Sequence, residues 1–311
     1  MAMTRRTLIG LPVAGLVSAC LPEPQVTRDA PDPFEGGIGG TGIVGVMTDF
    51  GSLIVNGLRL EVVRATSFRT AFGVATEADI APGHSLSVVA TRELDRLVAR
   101  EVVIDRPLIG TLRGGSVNGV PVRFEAGAPG AAVSGTRLAL SGVWTPSGLS
   151  VSRADPAGDA LDAVAGTVSA GGPTGTTIGG APVRLGGAPP AQGSYLVARG
   201  RFRGGVLEAA GMREGRFPRG ADSLRQLSVD GYLEPIARAP DFRIAGLGHS
   251  FDRGLDLAAL ATSRAIYFGR YDGLFRAARG YVVPEGFAAR RAMLVDGFAG
   301  GHEAPVIRTL R

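Results

Sequence analysis

The chain has 311 residues, with 33 basic side chains against 28 acidic ones and a formal net charge of +5, and every basic residue is arginine. So mild an excess excludes the strongly basic surface of a nucleic-acid-binding protein, and no nucleic-acid partner is expected. Glycine supplies 48 residues, which disfavours long helices, and the absence of a three-residue glycine period excludes collagen.

The N-terminus, MAMTRRTLIGLPVAGLVSAC, has the charged start, short apolar stretch and small-residue exit of a secretory signal. Its apolar part, Thr7 to Ala19, is 13 residues long and broken by Gly10, Pro12 and Gly15, whereas a spanning helix needs about 20. Val17-Ser18-Ala19-Cys20 resembles the lipobox of bacterial lipoproteins. That resemblance implies lipidation of Cys20, which becomes the new N-terminus and anchors the chain to a membrane. Cys20 is the only cysteine, so no internal disulfide can form. Cleavage there removes Arg5 and Arg6, leaving 31 basic against 28 acidic residues, or +3. Thr4-Arg5-Arg6-Thr7-Leu8-Ile9 resembles a twin-arginine export signal, although the general pathway also favours positive charge at that place. Leu21 follows the cysteine where an inner-membrane retention signal of enteric bacteria has Asp, so the periplasmic face of the outer membrane is the expected location.

Residues 21–41 carry four prolines and the run Gly36-Gly37-Ile38-Gly39-Gly40 and have no sustained apolar period, as in a tether. A repeat follows. Strand-like openings recur at Ile43-Val44-Gly45-Val46, Leu108-Ile109-Gly110-Thr111, Val164-Ala165-Gly166-Thr167 and Val229-Asp230-Gly231-Tyr232. Each precedes a turn pair: Asn56-Gly57, Asn118-Gly119, Gly179-Gly180 and Ala245-Gly246. Asn-Gly between apolar runs predicts a hairpin, since both residues tolerate positive φ. A third element keeps apolar residues two apart and ends on a small one, Ala90, Gly142, Gly200 or Gly269. These recurrences predict an all-β chain of about four small barrels of the oligonucleotide/oligosaccharide-binding kind: 42–106, 107–162, 163–227, and a divergent fourth copy with a C-terminal extension, 228–311. A β-sandwich of merged copies is the rival. Units this small bury only about 60% of their unfolded surface, so neighbouring copies are expected to pack together.

The segment GIVGVMTDFGSLIVNGLRLEV, Gly42–Val62, with the later Ala81-Pro82-Gly83-His84-Ser85-Leu86, is similar to a small β-barrel domain of unknown function found in tandem copies in proteobacterial lipoproteins. The second and third copies resemble it less closely, and Pro235–Leu260 departs from its pattern. The resemblance implies architecture and a lipoprotein context, and brings no catalytic residues.

Chemistry is sparse. His84, His249 and His302 are far apart, without a second ligand at metal spacing, and read as solvated or incidental. Asp105, Asp155 and Asp159 fall at module junctions without a motif to pair them. No catalytic residues, metal or cofactor are therefore expected. Arg199, Arg201 and Arg203 alternate along one strand, which puts three guanidinium groups on one face, and Arg213, Arg216 and Arg219 follow. Planar guanidinium groups suit phosphate and carboxylate. Trp144 and Phe202 read as caps on a core. The leading expectation is a non-enzymatic envelope lipoprotein, a modular scaffold or binding protein for an envelope protein or anionic glycan. The alternatives are recognition of anionic polysaccharide or lipid headgroups through the arginine face, and a hydrolase with an unrecognised carboxylate pair.

Overall fold

The structure, a computed structural model, describes residues 40–49, 53–94, 96–130, 133–158, 161–188, 190–217, 221–236, 242–248 and 262–296. Cys20, Asp159, Arg219, His249, His302 and nearly all of the tether lie outside them. The first strand begins at Gly40, two residues inside the segment read as tether.

The first module contains β1 (Gly40–Asp49), β2 (Leu53–Val55), β3 (Leu58–Thr70), the short β4 (Val74–Ala75), β5 (Ser85–Glu93) and β6 (Arg96–Asp105). The second contains β7 (Leu108–Thr111), β8 (Ser116–Val117), β9 (Val120–Phe124), β10 (Arg137–Thr145) and β11 (Gly148–Pro156). The third contains β12 (Asp162–Ala170), β13 (Thr176–Ile178), β14 (Ala181–Arg184), β15 (Tyr195–Arg203) and β16 (Val206–Glu214). The fourth contains β17 (Leu224–Gly231), β18 (Leu233–Pro235), β19 (Phe242–Ile244), β20 (Ala265–Tyr271) and β21 (Phe275–Val282). A short helix, α1 (Phe287–Arg291), follows. No helix among the described residues is long and apolar enough to cross a membrane.

In the first module the pairing runs β1-β2-β3-β6-β5 and returns to β1, a closed five-stranded barrel in which β3 and β6 are parallel. The third closes the same way through β12-β13-β14-β16-β15, with β14 parallel to β16. The second keeps this order, but only the bridge Arg113↔Ser116 links the two ends of its ladder. Among the described residues the fourth does not close, and β18 and β19 form a separate hairpin. Modules one and three are the closed barrel that the repeat predicts, and closure removes exposed sheet edges; the fourth departs from that expectation.

Two residue-level rules generate each copy. At the Asn-Gly turns, Asn56 and Gly57 have φ of 55° and 74°, and Asn118 and Gly119 have 51° and 78°, the left-handed pair of a type I′ hairpin. The asparagine then folds back over the glycine of its own first strand. A Cβ on Gly45 would stand 1.9 Å from Asn56 Oδ1, and one on Gly110 would stand 2.4 Å from Asn118 Oδ1. The second rule concerns the small residue ending the third element. The ladder slips by one residue at Ala90, Gly142, Gly200 and Gly269. At the three glycines the neighbouring strand's carbonyl comes within 2.1 Å or less of where a Cβ would be. The small residue thus faces a β-bulge in the neighbouring strand, where Arg100, Ser152, Ala210 or Ala278 is the extra residue.

Sheets run through the module boundaries. β1 pairs in parallel with β17, joining modules one and four, and β7 pairs antiparallel with β12, joining modules two and three. Module one has its own core around Ile43, Leu60, Leu86 and Val102. Modules two and three share one, in which Leu108, Leu140, Val164, Leu196 and Leu207 meet Trp144. Trp144 is buried as a core residue, and its Nε1 donates to Ala165 O at 3.0 Å.

Candidate functional site

Along β15, Leu196 and Ala198 point into the shared core, while Tyr195, Val197, Arg199, Arg201 and Arg203 point outward. All three arginines are exposed, yet their surroundings differ. Arg201 stands opposite Glu208 on β16, which is ion-paired with Arg184. Arg203 sits at the strand end. Arg199 lies 4.5 Å above the ring of Phe72, from the turn after β3 of the first module, a cation–π contact that fixes its guanidinium.

Arg199 and Phe72 flank a cleft of about 130 Å³ between modules one and three. Its apolar wall includes Ile104, Ile109, Ala163 and Val197, and its polar groups include Asp105, Arg106 and Tyr195. At its inner side, Arg216 is buried with its guanidinium 4.0 Å from the Tyr195 ring, and it pairs with Asp105 at 2.9 Å. Ser87 also donates to Asp105, and Arg216 Nη2 donates to Gly246 O at 2.6 Å. Burial pushes the Tyr195 hydroxyl up to about 12 against the opposing charge of Arg216, so it stays a neutral donor at physiological pH.

Once Arg216 neutralises Asp105, the cationic groups around the cleft exceed their partners. Arg213 faces the same side as Val197, its cross-strand neighbour, and its three guanidinium nitrogens are buried without a hydrogen-bond partner among the described residues. Arg106 Nε is in the same state. Desolvated guanidinium without an acceptor is costly; Arg106 lines the cleft, and an anion there would relieve its share of that cost.

Two more of the described residues singled out in the sequence, His84 and Asp155, pair with each other. His84 is buried, not solvated. Its Nδ1 accepts the Ala81 N–H at 3.0 Å, so Nε2 carries the proton directed at Asp155 Oδ2, 2.8 Å away in module two. Arg153 Nε donates to both oxygens of Asp155. Burial raises the Asp155 carboxyl, but the bonds from His84 and Arg153 outweigh it and hold the group down at about 2.

A second buried network was invisible in the sequence. Arg264 grips Asp230 through Nε at 2.8 Å and Nη2 at 2.6 Å, and reaches Glu125 at 2.5 Å. Arg290 of α1 donates to the other Glu125 oxygen at 2.7 Å. Burial raises the Asp230 carboxyl, and the charge of Arg264 more than reverses that. Burial and the repulsion of Arg264 lower Arg290. Glu125 and Asp230 are two close carboxylates, but each is neutralised by arginine and buried. Among the described residues, no group of three His, Cys, Asp or Glu side chains could hold a metal ion.

Comparison with protein-family models, with curated proteins and with solved structures finds no match to this chain.

Proposed function

We propose that this protein is an envelope lipoprotein that binds an anionic group, carboxylate, sulfate or phosphate, in the cleft beneath Arg199. Export and membrane attachment rest on the residues from Arg5 to Cys20. One observation carries the binding reading: on the wall of an apolar cleft closed by Arg199 and Tyr195, Arg106 keeps a buried Nε that has no hydrogen-bond partner among the described residues. An anion supplies the missing acceptors, and two planar guanidinium groups recognise its oxygens in a fixed fork geometry. The three-arginine stripe is narrowed to Arg199, because Arg201 already faces Glu208.

Two measurements test this. Incorporation of labelled palmitate should be abolished by Cys20→Ser; continued labelling of that variant would remove the anchor. The Cys20→Ser protein should be retained on dextran sulfate or on phosphatidylglycerol vesicles in a salt-sensitive manner, and the two supports distinguish glycan from headgroup. Arg199→Glu should weaken retention about tenfold or more, whereas Arg203→Glu should have a smaller effect. Equal losses would point to a diffuse charged face.

A further inference from the structure

A second, chemically different cavity of about 290 Å³ opens where modules two, three and four meet. We propose that it binds a neutral saccharide. The size is close to the lower end of ligand pockets, about 300 Å³, and suits one ring of an oligomer. Trp144 closes its inner end, wedged between the turns of modules three and four: a Cβ on Gly179 or on Gly246 would fall 2.5 Å and 2.0 Å from the indole. Gly179, which stands where modules one and two have asparagine, and the turn glycine Gly246 thereby admit the tryptophan.

The rest of the wall is rich in hydroxyls and has no net charge. Thr145, Ser147, Thr167, Ser169 and Thr177 line it. Thr167 is only 6% exposed, and its Oγ1 has no hydrogen-bond partner among the described residues. Across the cavity, Glu234 and Arg243 are cross-strand neighbours on the β18–β19 hairpin, paired at 2.7 Å. Arg243 Nε has no hydrogen-bond partner among the described residues. An acceptor and a donor side by side match vicinal hydroxyls, which both donate and accept. An ion pair of zero net charge offers an anion no advantage, unlike the Arg199 cleft. A buried hydroxyl without a partner is costly, and a ligand hydroxyl offers it one.

Trp144 is the only tryptophan in the chain, so its fluorescence reports on this cavity. The full chain in detergent is titrated with maltohexaose, cellohexaose, chitohexaose and a neutral dextran to about 10 mM, well above a weak Kd of about 1 mM. At least one should shift the Trp144 emission saturably. Thr167→Val and Glu234→Gln should each weaken that response about tenfold, and Thr167→Val should leave the melting temperature unchanged or raised. No saturable shift with any of the four, or a response equally strong in both variants, overturns the proposal. Arg199→Glu should leave the response intact, and Thr167→Val should leave dextran sulfate retention intact, so the two sites fail separately.

Discussion

Asn118 shows how much one side chain specifies. Its Nδ2 donates to Ile109 O in its own module and to Ala163 O in the next, at 2.9 and 3.0 Å. Asn56 repeats the device, joining Val44 O to Ser228 Oγ at 3.1 and 2.9 Å. The residue that forms the hairpin therefore also fastens the neighbouring module. Asn118→Ala should cost on the order of 1–3 kcal/mol, because it strands buried carbonyls, as measured by the denaturant midpoint. A surface asparagine would cost almost nothing. Asp155 provides a second residue-level test. Its folded pKa, about 2, is below the unfolded value of 3.8, so its stabilisation is complete above about pH 4 and disappears as pH falls through 2. Asp155→Asn should remove about 1–2 kcal/mol at neutral pH, after allowance for solvent screening. It should also flatten the acid limb of the stability profile between pH 4 and 2.

At the scale of the element, the β-bulge decides how large the residue facing it can be. Gly200 leaves no room for a side chain, since a Cβ would stand 1.8 Å from Glu208 O. Gly200→Val should therefore destabilise the protein by about 3 kcal/mol or more and broaden the unfolding of the third module. In the first module the same position is Ala90, fully buried. Ala90→Gly should cost about 1 kcal/mol, through strand entropy alone. Near-equal effects at the two positions would mean that the bulge is not what demands glycine. The recurrent third element was legible as a period-two strand ending in a small residue. Its reason was not legible, because the clashing carbonyl belongs to a partner strand whose register the sequence does not display.

The whole molecule is held together by polar contacts that no single module contains. Glu125 comes from module two, Asp230 and Arg264 from module four, and Arg290 from α1. Val46, Val143, Tyr232 and Phe287 pack as a hydrophobic cluster that likewise draws on three modules and α1. Buried pairs broken on one side cost about 3–5 kcal/mol. Arg264→Met, which leaves two carboxylates undercompensated, should fall in that range. Arg290→Met should cost less, because Arg264 still faces Glu125. Continuous sheets and a core shared by modules two and three predict one cooperative transition for the wild type, with coincident fluorescence and circular dichroism curves. Separate transitions would contradict the shared core.

The amino-acid order by itself determined the all-β class, the Asn-Gly turns and the outward face of Arg199, Arg201 and Arg203. Each depends on residues within a few positions of one another: alternation, positive-φ pairs and small residues at fixed offsets. Tertiary structure alone decided that His84 is buried against Asp155 and that Phe72 holds Arg199. It also placed Trp144 between the turns of two other modules. Those outcomes depend on which copies touch, and contacts between residues from thirty-five to more than a hundred positions apart leave no periodic trace along the chain.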